Sequence, residues 1–119
     1  MRVQTVPPEA LGWIAGDFDE AVVKTDSFEV GIKSGRGGEH EPLHYHAASY
    51  EHTYILRGTG TVQEDEAPQV DIRPGCVVTI PPMQVVAWDW DDDWQTVVIH
   101  KLTPSGNKPI NREPLYKTK

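Results

Sequence analysis

HYHAASYEH, residues 44–52, places three histidines and one glutamate in nine positions. On an extended strand, residues two apart face the same side. His44 and His46 therefore project together and Tyr45 turns away. The short AASY segment (47–50) suits a hairpin connection, so Glu51 is expected to arrive from the next strand. Two imidazoles and one carboxylate on a common face, with coordination positions left open, suit non-haem Fe(II) and related divalent ions. The open positions are where a substrate or O₂ would bind. The competing reading is a pair of polar histidines that touch ligand or water without metal, with Glu51 paired instead to a base such as Arg57.

Outward from that stretch the chain reads as strands and turns. FEVGIK (28–33) alternates Phe28, Val30 and Ile32 against Glu29, Gly31 and Lys33, a half-buried strand period. SGRGGEHEP (34–42) reads as loop, because its three glycines and one proline interrupt pairing. Strands are expected at HTYILR (52–57), TVQ (61–63), QVDIR (69–73), CVVTI (76–80), QVVAW (84–88) and TVVIHKL (96–102), with a turn at WDDD (90–93). PPEALGW (7–13) suits at most one helical turn. Many short strands with almost no helix predict an all-β sandwich or barrel. The organisation expected is one domain over 1–119: an N-terminal arm (1–26), a barrel core (27–102) and a C-terminal tail (103–119).

Length and charge narrow the function classes. A chain of 119 residues supports one compact domain. Eighteen acidic against eleven basic residues give a net charge of -7, which repels phosphate backbones and argues against nucleic acid. There is no apolar run of membrane-spanning length and no signal-peptide pattern. Cys76 is the single cysteine, so no internal disulfide forms, which fits a cytoplasmic location. Cys76 itself is expected as a small buried hydrophobe.

The spacing is more specific than the composition. Gly38, five residues, His44, one residue, His46, four residues, Glu51, six residues and Gly58 resemble the first motif of the cupin superfamily position for position. Gly75, five residues and Pro81 resemble the start of the second motif. The resemblance covers residues 28–102. It implies a cupin-type antiparallel β-barrel (a double-stranded β-helix, or jelly roll), usually dimeric, with a metal in the barrel mouth. The family's second motif continues with a glycine and a ligating histidine, and here those positions hold Met83 and Val86. In its H-Y-H start (44–46) and its lack of the second-motif histidine, the chain resembles a loose group of short cupins.

The site expected from these readings has His44, His46 and Glu51 as ligands of a divalent Fe, Mn, Ni or Zn ion. Gln84 and His100 are candidates for the fourth position, and Tyr54, Trp88 and Val86 for the cavity wall. Trp90 shares strand parity with Trp88, whereas Trp94 is expected as core or interface bulk. His40 and His52 are expected to face solvent, and Asp91, Asp92 and Asp93 to form a solvated turn. Two main function classes follow: a metal-dependent enzyme on a sugar or oxo-acid, oxidising or isomerising it, and a non-catalytic barrel that binds a carbohydrate-like ligand. A metal-free sugar isomerase with a histidine base is a third. The partners expected are a small molecule and a second copy of the chain, which the apolar Leu11, Trp13 and Ile14 would engage.

Overall fold

The computed structural model describes residues 1–102 and 114–117. Among these residues a single 3-10 turn, Pro8–Ala10, precedes eleven strands. They are β1 (Trp13–Gly16), β2 (Val23–Lys24), β3 (Phe28–Gly35), β4 (His40–Tyr45), β5 (Ser49–Arg57), β6 (Gly60–Glu64), β7 (Val70–Ile72), β8 (Val77–Ile80), β9 (Val86–Trp90), β10 (Trp94–Leu102) and β11 (Leu115–Tyr116). One sheet has six strands in the order β2-β1-β3-β10-β5-β8, and the other has five in the order β11-β4-β9-β6-β7. From β3 to β10 the chain passes back and forth between the sheets, staying in one sheet only for the β6–β7 hairpin. All pairings are antiparallel except β1–β2. This is the jelly-roll barrel expected from the sequence.

Its interior has two chemically distinct ends. At one end Ile55 and Ile80 from the larger sheet meet Val62, Ile72, Val86, Trp88 and Trp90 from the smaller. Each such side chain contributes roughly 1.5–3 kcal/mol when removed from water. At the other end Glu29, Glu51, Thr53, Thr96 and His100 point inward and are buried. β5 crosses from one regime to the other within seven residues: Ser49, Glu51 and Thr53 line the polar end, and Ile55 the apolar end. A barrel interior with one polar, ionisable half accounts for a composition more polar than a simple two-sheet core needs.

Several expectations change. Glycine and proline do not keep 34–42 as loop: β3 runs to Gly35 and β4 starts at His40, leaving a four-residue turn between them. The AASY hairpin does not form. β4 pairs with β9 and β11, β5 pairs with β10 and β8, and the chain between them crosses from one sheet to the other. On β3 the buried set is Glu29 and Gly31, while Phe28 and Ile32 are exposed. Gly31 is required there, since a Cβ would lie 2.7 Å from the Trp13 ring. The N-terminal segment adds β1 and β2 to the larger sheet. Trp13 is consumed inside its own chain and is not available to a neighbour, whereas Leu11 is exposed. Most of the expected tail, 103–119, lies outside the described residues; Leu115 and Tyr116 pair with Tyr45 and His44.

Met83, at the position where the family carries glycine, keeps the backbone that glycine would favour, with φ 69. Its N–H donates to the His46 carbonyl at 2.8 Å, so this turn anchors a candidate ligand strand. A left-handed backbone costs an L residue roughly 1–2 kcal/mol, part of which glycine loses again through greater unfolded-state freedom. Met83→Gly is therefore expected to stabilise the protein by about 0.5–1 kcal/mol in urea unfolding. A loss of stability would contradict the strain.

Candidate metal centre

One row of side chains across three strands makes the site. Glu29 on β3, His100 on β10 and Glu51 on β5 are direct register partners. Directly opposed residues of neighbouring strands share a face and sit within contact distance. His100 is thus clasped between two carboxylates. Its Nδ1–H donates to Glu29 Oε1 at 2.9 Å, and its Nε2 lies 3.6 Å from Glu51 Oε1. Thr53 Oγ1 donates to the second Glu51 oxygen at 2.7 Å. Glu29 is 2% exposed and His100 1%, so neither charge has water to fall back on. Charges buried to that degree persist only when paired and hydrogen-bonded.

The smaller sheet completes the cluster. His46, just past the end of β4, brings Nε2 to 3.3 Å from Glu51 Oε1. Among the described residues, His46, Glu51 and His100 are the set whose donor atoms all lie within 4.8 Å of one another. That spacing suits donors sharing one ion at about 2.0–2.2 Å. A further fact fits a ligand there: His100 Nε2, which faces Glu51, is buried with no hydrogen-bond partner. His44 stands beside this group, its ring centroid 6.1 Å from that of His46. Its Nδ1 donates to the Pro42 carbonyl at 2.8 Å, and its Nε2 is 3.4 Å from Glu41 Oε1. The Pro42 bond fixes the tautomer and leaves Nε2 as the lone-pair donor.

The cluster opens on a cavity of ≈ 290 Å³. One wall is tryptophan: Trp88 and Trp90 stack at 6.0 Å, and Trp90 and Trp94 at 4.7 Å. Trp13 leans on His100 at 5.3 Å, and Lys33 Nζ sits 4.4 Å over the Trp13 ring. The half-exposed Glu41 stands at the same cavity. Burial, aided by the nearby Glu51 charge, pushes the Glu41 carboxyl above its ordinary range against the pull of His44, His46 and Lys33.

Residues 35–100 match the family model of the cupin domain. The chain is a cupin. Solved structures with the same fold include a cupin superfamily protein from Desulfitobacterium hafniense DCB-2, at 16% identity and TM-score 0.60, covering 66% of this chain and 71% of that one. A crystal structure of the DMSP lyases RdDddP and RnDddQII matches with 21% identity and TM-score 0.72, covering 90% of this cupin and 52% of that chain. DMSP lyase DddQ from Ruegeria pomeroyi DSS-3 matches with 19% identity and TM-score 0.68, covering 83% and 47%. This chain spans about half the length of those two lyases. No curated protein matches it. No helix among its described residues is long and apolar enough to cross a membrane.

The residues singled out from sequence fall into three groups. His46, Glu51 and His100 converge, and His44 stands beside them. Trp88 lines the cavity, together with Trp90 and with Trp94, which therefore differs from the bulk role expected of it. Three others are placed elsewhere. Gln84 sits in the turn before β9 and lines a separate cavity of ≈ 580 Å³, away from the histidines. Val86 pairs with His44 in register, but it belongs to the apolar cluster and lines that same second cavity, as does Cys76, which is only partly buried. Tyr54 is 41% exposed, because it is three residues from Glu51 and so on the opposite face of β5. Arg57 is exposed and is not among the groups that hold Glu51. His40 bonds Asp89 at 2.7 Å, and His52 bonds Thr79 at 3.0 Å on the outer face. Asp92 and Asp93 accept backbone N–H groups from Thr59 and Gly37, which fastens the acidic turn to its neighbours. Glu29, Glu41, Thr53, Trp13 and Lys33 were not foreseen. The available signal for Glu29 was a charged residue on a strand whose apolar face could be either one.

The electrostatics give a signed prediction. Burial disfavours the His100 cation, but the hydrogen bond to Glu29 and the nearby Glu51 carboxylate outweigh it and raise the pKa above the ordinary 6.5. Burial also opposes the Glu51 anion, and the close His100 and His46 imidazoles with the Thr53 hydrogen bond overcome it, holding the carboxyl well below 4.5. The His100 contribution is complete below pH 6.5 and is lost as pH rises through its raised folded value. The Glu51 contribution is present above pH 4.5 and is lost as pH falls toward its depressed folded value. Metal-free protein should therefore lose thermal stability as pH climbs above 6.5, with the maximum contribution between 4.5 and 6.5. A metal must displace the His100 proton, so Zn(II) or Mn(II) should stabilise more strongly at higher pH. Melting curves at several pH values, with chelator and with metal, check both slopes.

Proposed function

We propose that this cupin holds one divalent transition-metal ion through His46, Glu51 and His100, with His44 as a fourth donor at the mouth. The proposed action is on a small molecule of sugar or oxo-acid type admitted by the same cavity. The observation that carries the reading is the meeting of three donor atoms within 4.8 Å, one of them on His100, whose Nε2 is buried and unpartnered. The nitrogen–oxygen donor set fits Fe(II), Mn(II), Ni(II) or Zn(II) equally well.

When bound, such an ion supplies Lewis acidity to a substrate oxygen or a place for O₂. The protein's own groups do the rest. Glu29 orients the His100 ring and makes Nε2 the inward-facing donor. Thr53 holds one Glu51 oxygen, leaving the other directed at His46 and His100. The stacked tryptophans exclude water from one wall and offer a flat face to a sugar ring or planar acid. Lys33 places positive charge at the cavity, where a substrate carboxylate would be favoured, and Glu41 is the group at the mouth suited to carry a proton. The likeness to two DMSP lyases supports small-molecule chemistry in a barrel of this shape, and the fold is as far as that likeness goes.

A metal-free reading rests on the same pair differently used. Glu29–His100 is an oriented imidazole with its outer nitrogen turned to the cavity, the arrangement a general base needs. In that case His100 would take a proton from a bound sugar or oxo-acid.

Elemental analysis of the purified protein separates the two. The metal reading expects close to one transition ion per chain, abolished by paired His46→Ala and His100→Ala. Glu29→Gln should weaken the ion's affinity by roughly 10–100-fold, as loss of a supporting carboxylate does. Protein that stays metal-free after reconstitution with each of the four ions would hand the site to the general-base reading.

A further inference from the structure

The end of the barrel away from the histidines has a cavity of its own, ≈ 580 Å³ against ≈ 290 Å³ for the metal cavity. It lies where the two sheets part. β7 ends the smaller sheet and β8 ends the larger, and these consecutive strands do not pair with each other. The turn between them decides this. Gly75, at φ 93, donates its N–H to the Ile55 carbonyl at 2.9 Å, and the Ile55 N–H donates to the Cys76 carbonyl at 3.0 Å. The chain has therefore joined β5 before β8 begins, and β7 is left with β6. The seam is apolar inside: Val62, Ile72, Ile80 and Val86 line it and are at most 8% exposed. Val70 and Val77, which open β7 and β8, are 60% and 59% exposed and carry the apolar lining outward. Val86 stands where the second motif has its histidine, so the residue that removes a ligand from one cavity is a wall of the other.

We propose that this seam is a second binding site, for a small amphipathic cation: an aliphatic or aromatic body carrying an ammonium group. The apolar body follows from packing. Protein interiors are close-packed, and a cavity walled by Val and Ile leaves those side chains without contacts on one side until an apolar molecule fills it. Its volume is within the range of small-molecule sites, roughly 300–1,000 Å³. The head group follows from charge. Glu64 and Asp71 stand in the lining, and among the described residues no Lys, Arg or His does. The bases nearby are accounted for. Arg73, in the turn between β7 and β8, is exposed and not part of the wall. His52 reaches only the Thr79 hydroxyl, from the outer face. Lys117 is paired with Asp65. A carboxylate head would meet two like charges, and a sugar would lose its hydrogen bonds to water against an apolar wall. A second copy of the chain, itself at net charge -7, is repelled by the same two carboxylates.

Titration calorimetry of the full chain with octylammonium, octanol and octanoate, in the presence of chelator, tests the site apart from any metal. Octylammonium is expected to bind about tenfold more tightly than octanol, the scale that two exposed carboxylates supply, and octanoate more weakly than either. Glu64→Gln with Asp71→Asn should bring the ammonium down to the alcohol and leave octanol binding unchanged. Should that variant not fold, methyl NMR of the wild type decides. Octylammonium should shift the methyl resonances of Val62, Ile72, Ile80 and Val86 and leave the His46 and His100 rings unmoved, and added salt should narrow its advantage over octanol. No binding of any of the three, octanol or octanoate bound as tightly as octylammonium, a preference that survives the double variant, or shifts confined to the metal cavity would each overturn the proposal.

Discussion

The structure depends on one imidazole held between two buried carboxylates. His100 is the middle residue of a three-strand row whose ends are Glu29 and Glu51, and the antiparallel register alone brings them together. Each member needs the others. Removing one partner of a buried ion pair costs roughly 3–5 kcal/mol, because the remaining charge has no solvent. The row therefore locks the relative register of β3, β10 and β5 at the same time as it aims one imidazole nitrogen and one carboxylate oxygen at the cavity. Stability and site geometry are a single arrangement here.

This constraint shapes both surfaces of the larger sheet. Inward positions given to Glu29, Thr53, Thr96 and His100 leave the apolar core to the other end of the barrel, where the smaller sheet contributes most of it. The tryptophans of β9 and β10 sit at the boundary. Trp88 and Trp90 belong to the apolar cluster and also face the cavity, so the core and the ligand wall are built from the same rings. Outside, apolar residues displaced by the ionic row, Ile32, Tyr54 and Ile99 among them, stand exposed on the sheet's outer face.

Much of this was legible in the residues, and the limits have physical causes. Strand periods, turn residues and the Gly38–His44–His46–Glu51–Gly58 spacing were enough for the barrel and the family. They also brought out His46, Glu51 and His100 as metal-type residues. What one-dimensional spacing lacks is register. Glu29 and His100 are 71 positions apart, and only strand pairing makes them neighbours. The hairpin expected at AASY failed for the same reason: the residues suit a short connection, but a jelly roll crosses between sheets there. Strand parity placed Gln84 and Val86 on the correct alternation with Trp88 without saying which of two cavities each would meet. β3 shows the deeper limit. Alternation fixes two faces but not which one is inside, and a barrel with a polar interior inverts the usual choice.

The central claim concerns where an ion sits, so anomalous diffraction from crystals grown with Mn(II) or Zn(II) addresses it most directly. The account predicts one peak bonded to His46, to Glu51 and to Nε2 of His100 at about 2.0–2.3 Å, with Glu29 still bonded to Nδ1. A peak coordinated by His44 and His46 with His100 turned away, or no peak within reach of Glu51, would contradict it.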